Sequence, residues 1–414
     1  MFAHMPSTLL KQVAIVDGRS TQDRFDIRIT DGLIDVVANT GTIEAQPDEP
    51  VHDLDGYLVL PAAVEPHAHL DKAFLAERID NPTGDLLGAI YAMRANRHLL
   101  SVSETIERAE RAARLMAANG YCAVRTHADT TVEHGLRSIE ALGEVKNRVA
   151  DIIDIEVVAL CGWPITGHAG ADQRTLLVEA LAAGADLVGG CPHLEGEGGI
   201  ASSTEFLLQT ASDHGVGIDL HIDETLDPEV LGLVDLANMV ASGFEHPVTA
   251  SHCVSLGMQS ETRQREIAEL VSSTGISVIA LPHTNLFLQG RGHAPMPRGL
   301  TAVAALQSAG VNVAAGADNL QDPFNPVGRA CPFETASLMI MVAHLLPADA
   351  WATVSDAARR ATGRIPISVE PGAVADLIAV RAATLREAIA FGPSDRLTWR
   401  RGVLHGAPPS ETES

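Results

Sequence analysis

The sequence is poor in aromatic residues, in basic residues and in long apolar runs. Aromatic residues make up 4% of the 414 residues, and 29 Lys and Arg face 53 Asp and Glu, which leaves a formal net charge of −24. A surface this acidic repels phosphate backbones and anionic lipid, so we expect neither nucleic acid nor membrane as a partner. The longest apolar stretch, residues 336–351, contains His344 and Pro347 and is too short to span a bilayer.

Cysteine is scarce as well, and its spacing excludes two common kinds of site. No two cysteines form a CxxC pair, which argues against a disulfide framework and against a thiolate zinc site. The N-terminus lacks the long apolar segment of a signal peptide, so we expect a cytoplasmic protein with reduced thiols. The five cysteines are Cys122, Cys161, Cys191, Cys253 and Cys331.

The two ends of the chain resemble each other and differ from the middle. Short alternating strands, punctuated by Asp-Gly pairs, fill residues 10–60, and similar segments return at 371–382 and 397–406. We therefore predict a small β-sandwich domain formed from both chain termini around a larger domain. The predicted parts are a first β-sandwich segment at 1–60, a main domain at 61–364, a second β-sandwich segment at 365–408 and a polar tail at 409–414.

The main domain alternates apolar strands with amphipathic helices. One helical candidate, residues 101–120, begins with Ser101 and Glu104 spaced as a capping box. Eight strands, most of them separated by helices, predict an α/β fold of the parallel (β/α)8 TIM-barrel type. The strand candidates are residues 56–69, 121–129, 153–162, 185–193, 217–224, 247–253, 276–284 and 311–319.

Polar residues capable of chemistry end nearly every one of these strands. Histidine stands at six of the eight strand ends, although the chain has only 17 histidines. Loops begin where strands end, which explains some polarity but explains this enrichment poorly. Because the active site of such a barrel lies at its C-terminal mouth, we expect these side chains to meet there. The strand-end residues are His67, His69, His127, Asp129, His193, His221, Glu224, His252, His283, Asn285, Asp318 and Asn319.

The pair His67 and His69 indicates a metal site when it is combined with later residues. Residues i and i+2 of a strand point to the same face, so both imidazoles can enter the barrel mouth. Alone, such a pair is more often two polar loop residues than a site. His221 as a third nitrogen ligand and Asp318 as a carboxylate would complete an open catalytic site. Zinc, iron and manganese suit this donor set almost equally, so we expect one divalent ion of open identity.

Taken together, the motifs resemble the amidohydrolase superfamily and, within it, the cytosine deaminase-like branch. The resemblance rests on VEPHAHLDKAF (64–74), HIDE (221–224), SHC (251–253), NLFLQGR (285–291) and GADNLQDPF (316–324), and it spans nearly the whole chain. It implies a metal-dependent hydrolase that acts on carbon–nitrogen bonds other than peptide bonds.

The resemblance also implies a role for each matching residue. Glu224 would be the proton shuttle, although a surface acid at the start of a helix is the alternative interpretation. His252 would contact the attacking water or polarise the reacting centre, and Asp318 would take a proton from that water. Some relatives hold a second metal through a carboxylated lysine on a middle strand, and no such lysine is present here. The implied ligands of a single metal are His67, His69, His221 and Asp318.

The sequence departs from the resemblance at positions that would read the substrate. Cytosine deaminases end the third strand with a glutamine, whereas Gly162 stands there in this chain, followed by Trp163. Asn319 replaces a common second aspartate, and Phe324 keeps an aromatic position. Gln289 is either a substrate contact or a loop stabiliser. A site that hydrogen-bonds the polar edge of a ring discriminates strongly against a substrate when one hydrogen-bonding side chain is missing. We therefore expect the substrate to be a heterocycle other than cytosine itself.

Three functions stay open at this point. The first is hydrolytic deamination of a small cyclic amidine or aminated heterocycle, and the second is hydrolysis of a ring amide or an N-alkylamino bond. A non-catalytic metal-binding scaffold is the third, from another class. The expected partners are a small heterocyclic substrate, water and, from the family tendency to self-assemble, a homo-oligomer. His127, Asp129 and His193 either orient ligands or only line the mouth.

Overall fold

Two eight-stranded sheets form the framework of the protein. The computed structural model describes residues 7–16, 23–196 and 198–406. One sheet is mixed and combines both ends of the chain, and the other is a parallel barrel made by the middle. The predicted fold class, a (β/α)8 barrel with a small β domain formed from both termini, is thereby confirmed.

The small β domain is organised around its first strand. This strand, β1, pairs with β2 in antiparallel fashion and with β4 and β5 in parallel fashion, so it belongs to both halves of the sheet. Ile27 and Trp399 are among the buried residues of the apolar core between these strands. The strands are β1 (Thr8–Ile15), β2 (Phe25–Thr30), β3 (Leu33–Asn39), β4 (Val51–Asp53), β5 (Tyr57–Pro61), β14 (Leu377–Arg381), β15 (Arg396–Arg400) and β16 (Val403–Gly406).

The barrel strands pair in parallel and in sequence order, which places all their carboxyl ends at one mouth. Residues 56–69, predicted as one strand, form two: β5 joins the small domain and the next strand opens the barrel. The barrel strands are β6 (Ala63–Ala68), β7 (Tyr121–Thr130), β8 (Asp154–Cys161), β9 (Leu187–Gly190), β10 (Ile218–Ile222), β11 (Val248–His252), β12 (Ser277–Ala280) and β13 (Val313–Ala315).

Helices surround the barrel and cover its apolar outer surface. Within the part of the chain that the structure describes, no helix combines the length and apolarity that a membrane crossing requires. The helices are α1 (Leu86–Ala95), α2 (Val102–Ala118), α3 (Arg137–Arg148), α4 (Ala171–Ala182), α5 (Ile200–His214), α6 (Gly232–Ala241), α7 (Glu261–Ser272), α8 (Pro282–Leu288), α9 (Val303–Ser308), α10 (Pro332–Ala343), α11 (Pro347–Val354), α12 (Asp356–Ala361) and α13 (Leu385–Phe391).

The predicted start of α2 is confirmed in one half of its capping box. The Ser101 hydroxyl accepts the backbone N–H of Glu104, which satisfies one donor of the first turn. The Glu104 carboxylate does not return this bond. It pairs with Arg78 and with Arg108, whose guanidinium also donates to the carbonyl of Asp71 just after the first barrel strand. The helix start is therefore tied to the loop that follows His67 and His69, the two histidines of the HxH motif.

A buried ion pair fastens the small domain to the bottom of the barrel. Arg400 of β15 donates to both oxygens of Asp376 at 2.8 and 2.6 Å and to Asp154 at the start of barrel strand β8 at 2.6 Å. The Arg400 and Asp376 side chains are 7% and 6% exposed. Because the guanidinium has a carboxylate on either side of the boundary, it links the two domains.

Replacing Arg400 with Met should destabilise the protein, because it leaves Asp376 buried without its main cation. We expect the apparent free energy of unfolding to fall by about 3 kcal/mol or more. Chemical denaturation followed by circular dichroism measures the loss. Arg401→Met is the matched control, since the Arg401 side chain is 60% exposed and reaches Asp154 only at 3.5 Å. It should change stability by less than about 0.5 kcal/mol, and equal losses in both variants would contradict the role given to the buried pair.

Candidate active site

The barrel mouth brings together the histidines and the aspartate that the sequence singled out. Nε2 of His69 lies 3.2 Å from Nε2 of His221 and 3.2 Å from Oδ1 of Asp318. Nε2 of His67 is 3.6 Å from the same Asp318 oxygen. Donor atoms of His67, His69 and Asp318, and separately of His67, His221 and His252, lie within 4.8 Å of one another. All of these side chains are buried.

Burial keeps the imidazoles of His67 and His221 neutral. Desolvation lowers the pKa of His67 and of His221 well below the usual range, and the neighbouring histidines lower both further. Burial opposes ionisation of Asp318, but the contact with His69, 3.2 Å from Oδ1, lowers the pKa of the carboxyl overall. The cluster therefore presents the neutral imidazole lone pairs of His67 and His221 beside a carboxylate, which is the form in which these groups bind metals.

A buried column of polar groups orients His67 from below. Nδ1 of His67 is 2.9 Å from the Ser251 hydroxyl, and that hydroxyl donates to Oδ1 of Asp219 at 3.0 Å. Arg125 donates to the other Asp219 oxygen at 3.0 Å. Since the Ser251 proton is directed to Asp219, the hydroxyl oxygen is free to accept Nδ1–H of His67, which leaves the Nε2 lone pair facing the mouth.

His252 and Glu224 are joined through an amide. Nδ2 of Asn285, in the first turn of α8, is 3.0 Å from Nδ1 of His252 and 3.5 Å from Oε1 of Glu224. With Asn285 donating to Nδ1, the ring proton of neutral His252 lies on Nε2, which is 3.9 Å from Oδ2 of Asp318. Desolvation lowers the pKa of His252 to about 4, and burial followed by the Asp318 charge raises the pKa of Glu224 well above its usual range. A neutral hydrogen-bond donor and a carboxyl that retains its proton therefore stand side by side.

Several site residues have backbone conformations that residues other than glycine rarely adopt. Asp223, His252 and Asp318 have φ values of 51°, 71° and 65°, in the left-handed region. Such conformations cost free energy and persist where the surrounding structure fixes them. Asp223 shows how: its carboxylate accepts the backbone N–H groups of Gly232 and Leu233 at 2.9 and 3.0 Å, which holds the loop after β10 in place.

A buried lysine lies directly behind the cluster, and the sequence analysis did not select it. Nζ of Lys72 is 2.7 Å from Oδ1 of Asp129, 3.3 Å from Oδ1 of Asp71 and 3.1 Å from Nδ1 of His69. Asp71 also accepts the Ser138 hydroxyl at 2.9 Å. The LDK tripeptide that follows His69 is thus part of the site, and its closeness to the HxH motif is the signal that could have identified it.

A cavity of about 700 Å³ opens above the cluster. Four of the five residues predicted to contact substrate line it: Gly162, Trp163, Asn319 and Phe324. Gln289 does not; its side chain donates to the backbone carbonyl of Glu224 at 3.3 Å and so braces the loop. The remaining lining residues are His69, Lys72, Leu86, Ile90, Met93, Arg94, Arg97, Asp129, Thr131, Leu160, Cys161, Cys191, Leu194, His221, Glu224, His252, Thr284 and Asp318.

The other strand-end histidines are distributed around the cluster. The His127 ring lies 4.0 Å from the His67 ring, centroid to centroid, and Nδ1 of His193 is 3.2 Å from the backbone carbonyl of His221. Neither of them lines the cavity. His283 starts α8 and bonds the Thr335 hydroxyl at 3.1 Å. His127 and His193 therefore pack behind ligand candidates, and His283 faces away from them.

The donor set fits a divalent metal ion. Among the described residues, buried polar atoms without a hydrogen-bond partner include Nε2 of His67, Nδ1 of His221, Nε2 of His252 and Oδ1 of Asp318. Imidazole nitrogens and a carboxylate oxygen that lie within 4.8 Å of one another, as in His67, His69 and Asp318, are a familiar donor set for zinc, iron or manganese. Unpaired buried polar atoms are costly, so their concentration here indicates a ligand that they share.

Comparison with known proteins places this geometry in a family. Residues 75–405 match the Amidohydro_3 amidohydrolase family. The chain belongs to the amidohydrolase family. It is a hydrolase that acts on carbon–nitrogen bonds other than peptide bonds, and the resemblance to this superfamily and to its cytosine deaminase-like branch is confirmed.

Similar proteins act on different nitrogen heterocycles. The chain is 35% identical over 394 residues to a pterin deaminase of Rhizobium rhizogenes, covering 92% of this chain and 87% of the other. It is similar to the crystal structure of 5-methylcytosine deaminase from Klebsiella pneumoniae liganded with 5-fluorocytosine, with a TM-score of 0.86, 28% identity, and 98% and 99% of the two chains covered. N-isopropylammelide isopropylaminohydrolase from Burkholderia multivorans matches with a TM-score of 0.83, 28% identity, and 98% and 99% coverage.

Removing one predicted ligand should abolish metal binding. We expect His221→Asn to lose most of its metal, because the remaining donors form an incomplete set, while the wild type keeps about one divalent ion per chain. Elemental analysis of the purified proteins measures the stoichiometry. His283→Asn is the matched control, since it changes another strand-end histidine that bonds Thr335 instead of the cluster. Full metal content in His221→Asn would contradict the ligand assignment.

Proposed function

We propose that the protein catalyses hydrolytic deamination of a cyclic amidine, an aminated nitrogen heterocycle of the pterin class. The observation that carries the proposal is the buried Glu224, which faces the cavity beside His252 and the Asp318 cluster. A carboxyl group that holds a proton next to a base and a neutral imidazole donor is suited to transferring protons to a ring nitrogen and to a departing amine.

His67, His69, His221 and Asp318 would hold the divalent ion. When bound, this ion would supply Lewis-acid activation of a water molecule at neutral pH. The imidazoles of His67 and His221 are already neutral through burial, so neither has to lose a proton before it binds the ion. The column Arg125–Asp219–Ser251 beneath His67 would keep that ring oriented during the reaction.

Asp318 is the proposed base for the attacking water. Its Oδ2 lies on the side of the cluster that faces His252, at 3.9 Å from Nε2. As the water oxygen bonds to the amino-bearing carbon of the substrate, Asp318 accepts the proton that the water loses. Nε2–H of His252 is placed to donate to the oxygen that this addition brings into the tetrahedral centre.

Glu224 is the proposed carrier of the remaining protons. Its protonated carboxyl donates to the ring nitrogen next to the reacting carbon, so that this nitrogen takes the electron pair of the C=N bond. The proton held by Asp318 then passes to the exocyclic amine through the regenerated Glu224 carboxylate. The carbon–nitrogen bond breaks and ammonia departs. The proton of the added hydroxyl passes to the Glu224 carboxylate, which restores its protonated form and leaves a ring carbonyl.

The lining of the cavity supports a flat, aromatic substrate. Trp163 and Phe324 supply aromatic surface for such a ring system. At Gly162 the wall carries no side chain, and Gln173 fills the space directly behind it. The 35% identity to a protein named pterin deaminase points in the same direction.

A second candidate is hydrolysis of an N-alkylamino bond. It is favoured by the similarity to N-isopropylammelide isopropylaminohydrolase over nearly the whole of both chains. The same residues would act, but the leaving group would be an alkylamine. Assay of the metal-loaded enzyme against aminopteridines, aminopyrimidines and alkylaminotriazines separates the two. Ammonia from an aminopteridine supports deamination, whereas alkylamine release without ammonia from any compound would overturn it.

Glu224→Gln should slow the reaction strongly without disturbing the metal. Glutamine keeps the shape of the side chain but cannot give up and regain a proton, so we expect kcat to fall by about 10²- to 10⁴-fold. Steady-state kinetics and elemental analysis measure the two quantities. Glu229→Gln, the same change at an exposed position of the same loop, should leave kcat unaltered. Comparable turnover in Glu224→Gln and the wild type would be incompatible with the proton-transfer role.

A further inference from the structure

The cavity contains three carboxylates, and two of them are committed to the reaction. Glu224 and Asp318 stand at the metal-ligand cluster, whereas Asp129 stands on the opposite side of His69 with Lys72. The Asp129 side chain is 23% exposed, compared with 4% for Lys72 and 3% for Asp71. Lys72 and Asp129 both line the cavity, and Asp129 is the more exposed of the two.

Asp129 is held rigidly by the segment that follows the HxH motif. Its backbone N–H donates to Oδ2 of Asp71 at 2.8 Å, and its Oδ1 accepts Nζ of Lys72 at 2.7 Å. Lys72 is the one recorded side-chain partner of the Asp129 carboxylate within residues 7–16, 23–196 and 198–406. Lys72 also contacts Asp71 and His69, and it reaches only one oxygen of Asp129, so the other oxygen stays available to the cavity.

Neighbouring polar groups on the same wall are already satisfied within the protein. Gln173 lies directly behind Gly162, where a Cβ atom would come within 2.8 Å of its Oε1. Its amide donates to the carbonyl of Thr130 at 2.6 Å and accepts the N–H of Val132 at 3.3 Å, so it does not reach the cavity. The amide of Asn319 is likewise committed, donating to Asp322 at 2.7 Å.

We propose that Asp129 is a specificity-determining residue that accepts a hydrogen bond from a ring N–H of the substrate, at an atom other than the departing amine. This inference rests on the proposed function. A fixed carboxylate with Lys72 behind it offers acceptors only, so it favours a heterocycle that presents an N–H donor on that edge. The same carboxylate disfavours a heterocycle that presents a nitrogen lone pair on that edge.

The chemistry of candidate substrates makes this preference testable. In 2-amino-4-oxopteridine the amino-bearing carbon lies between a ring nitrogen with a lone pair and a ring N–H. Glu224 would protonate the first, and Asp129 would accept from the second. Cytosine has no N–H next to its amino-bearing carbon, so the same carboxylate would face a carbon atom or a lone pair. Position 162 carries no amide side chain that could hydrogen-bond the substrate. The proposed hydrogen-bond acceptor is instead Asp129, on the adjacent strand.

The test compares 2-amino-4-oxopteridine with its 3-methyl analogue, in which the N–H is replaced by N–CH3. In the wild type we expect kcat/KM to be at least about 100-fold higher for the N–H compound, because the analogue leaves a buried acceptor unpaired. In Asp129→Asn, Lys72 can only donate and would hold the amide oxygen, so an NH2 group would face the substrate. The preference should then fall by about 10-fold or more.

Asp172→Asn is the matched control, since it makes the same change at an exposed position outside the cavity. Its preference ratio should stay within about threefold of the wild type. Metal content and thermal unfolding show whether each variant is folded. An unchanged ratio in Asp129→Asn, or an equal loss in Asp172→Asn, would overturn the assignment.

If the variants fold poorly, the kcat/KM values of the wild type for the two compounds still test the inference. Equal kcat/KM for the two compounds would overturn the inference and leave the deaminase proposal intact. No ammonia from any aminated heterocycle would overturn the proposed function and the inference together. Strong preference for the N–H compound, with calorimetric binding of the 2,4-dioxopteridine product weakened about 10-fold or more by Asp129→Asn, supports both.

Discussion

A single backbone hydrogen bond at the seam of the barrel brings the two ends of the site together. The N–H of Asp318 donates to the carbonyl oxygen of His67 at 3.1 Å, beside the parallel bridge between Ala68 and Asp318. The first and last barrel strands are far apart in sequence, so this closure determines whether His67 and His69 lie next to the Asp318 carboxylate. Glu65 reinforces the seam from inside, because its carboxyl accepts the Ala317 N–H at 3.1 Å, and burial raises its pKa to about 8. Gly316 is required there, since a Cβ would come within 2.4 Å of Glu65.

The chemistry of the site follows from excluding water around groups that would otherwise be charged. Desolvation is the largest influence on the pKa of His67, His221 and Glu224, and it favours the neutral form in each case. Neutral imidazoles can bind a metal and a neutral carboxyl can donate a proton, so one physical cause prepares both functions. Charge is retained where a partner compensates it, as between Arg125 and Asp219 below the ligands. Asp318 stays ionised within the ligand cluster itself, because the contact with His69 lowers the pKa of its carboxyl.

The barrel and the ligand cluster could be predicted from the sequence because both depend on periodic features. Parallel strands align their carboxyl ends, so a histidine at a strand end is already placed at the mouth. Lys72 escaped selection because its importance comes from its contacts across the site, to Asp129 and to His69. Asn285 was selected only as a strand-end residue, and its contact with His252 gives it a specific place in the site. Gln289 was selected from a motif, yet local folding turns it towards the Glu224 carbonyl. No periodicity in the sequence encodes such side-chain directions, which depend on loop conformation.

The proposed reaction and the proposed recognition use different parts of the same cavity. In the proposed reaction, water activation and proton transfer depend on strand ends whose positions the barrel fixes, and the same set of side chains would serve pterins, pyrimidines or triazines. Recognition would depend on the wall at the ends of β7 and β8, where Asp129 carries the proposed acceptor and Gly162 carries no side chain. Lys72 lies between the two networks, because its Nζ contacts Asp129 on that wall and His69 of the ligand cluster. Since the wall residues are not among the proposed ligands, substrate choice can diverge within this fold while the hydrolytic chemistry is preserved.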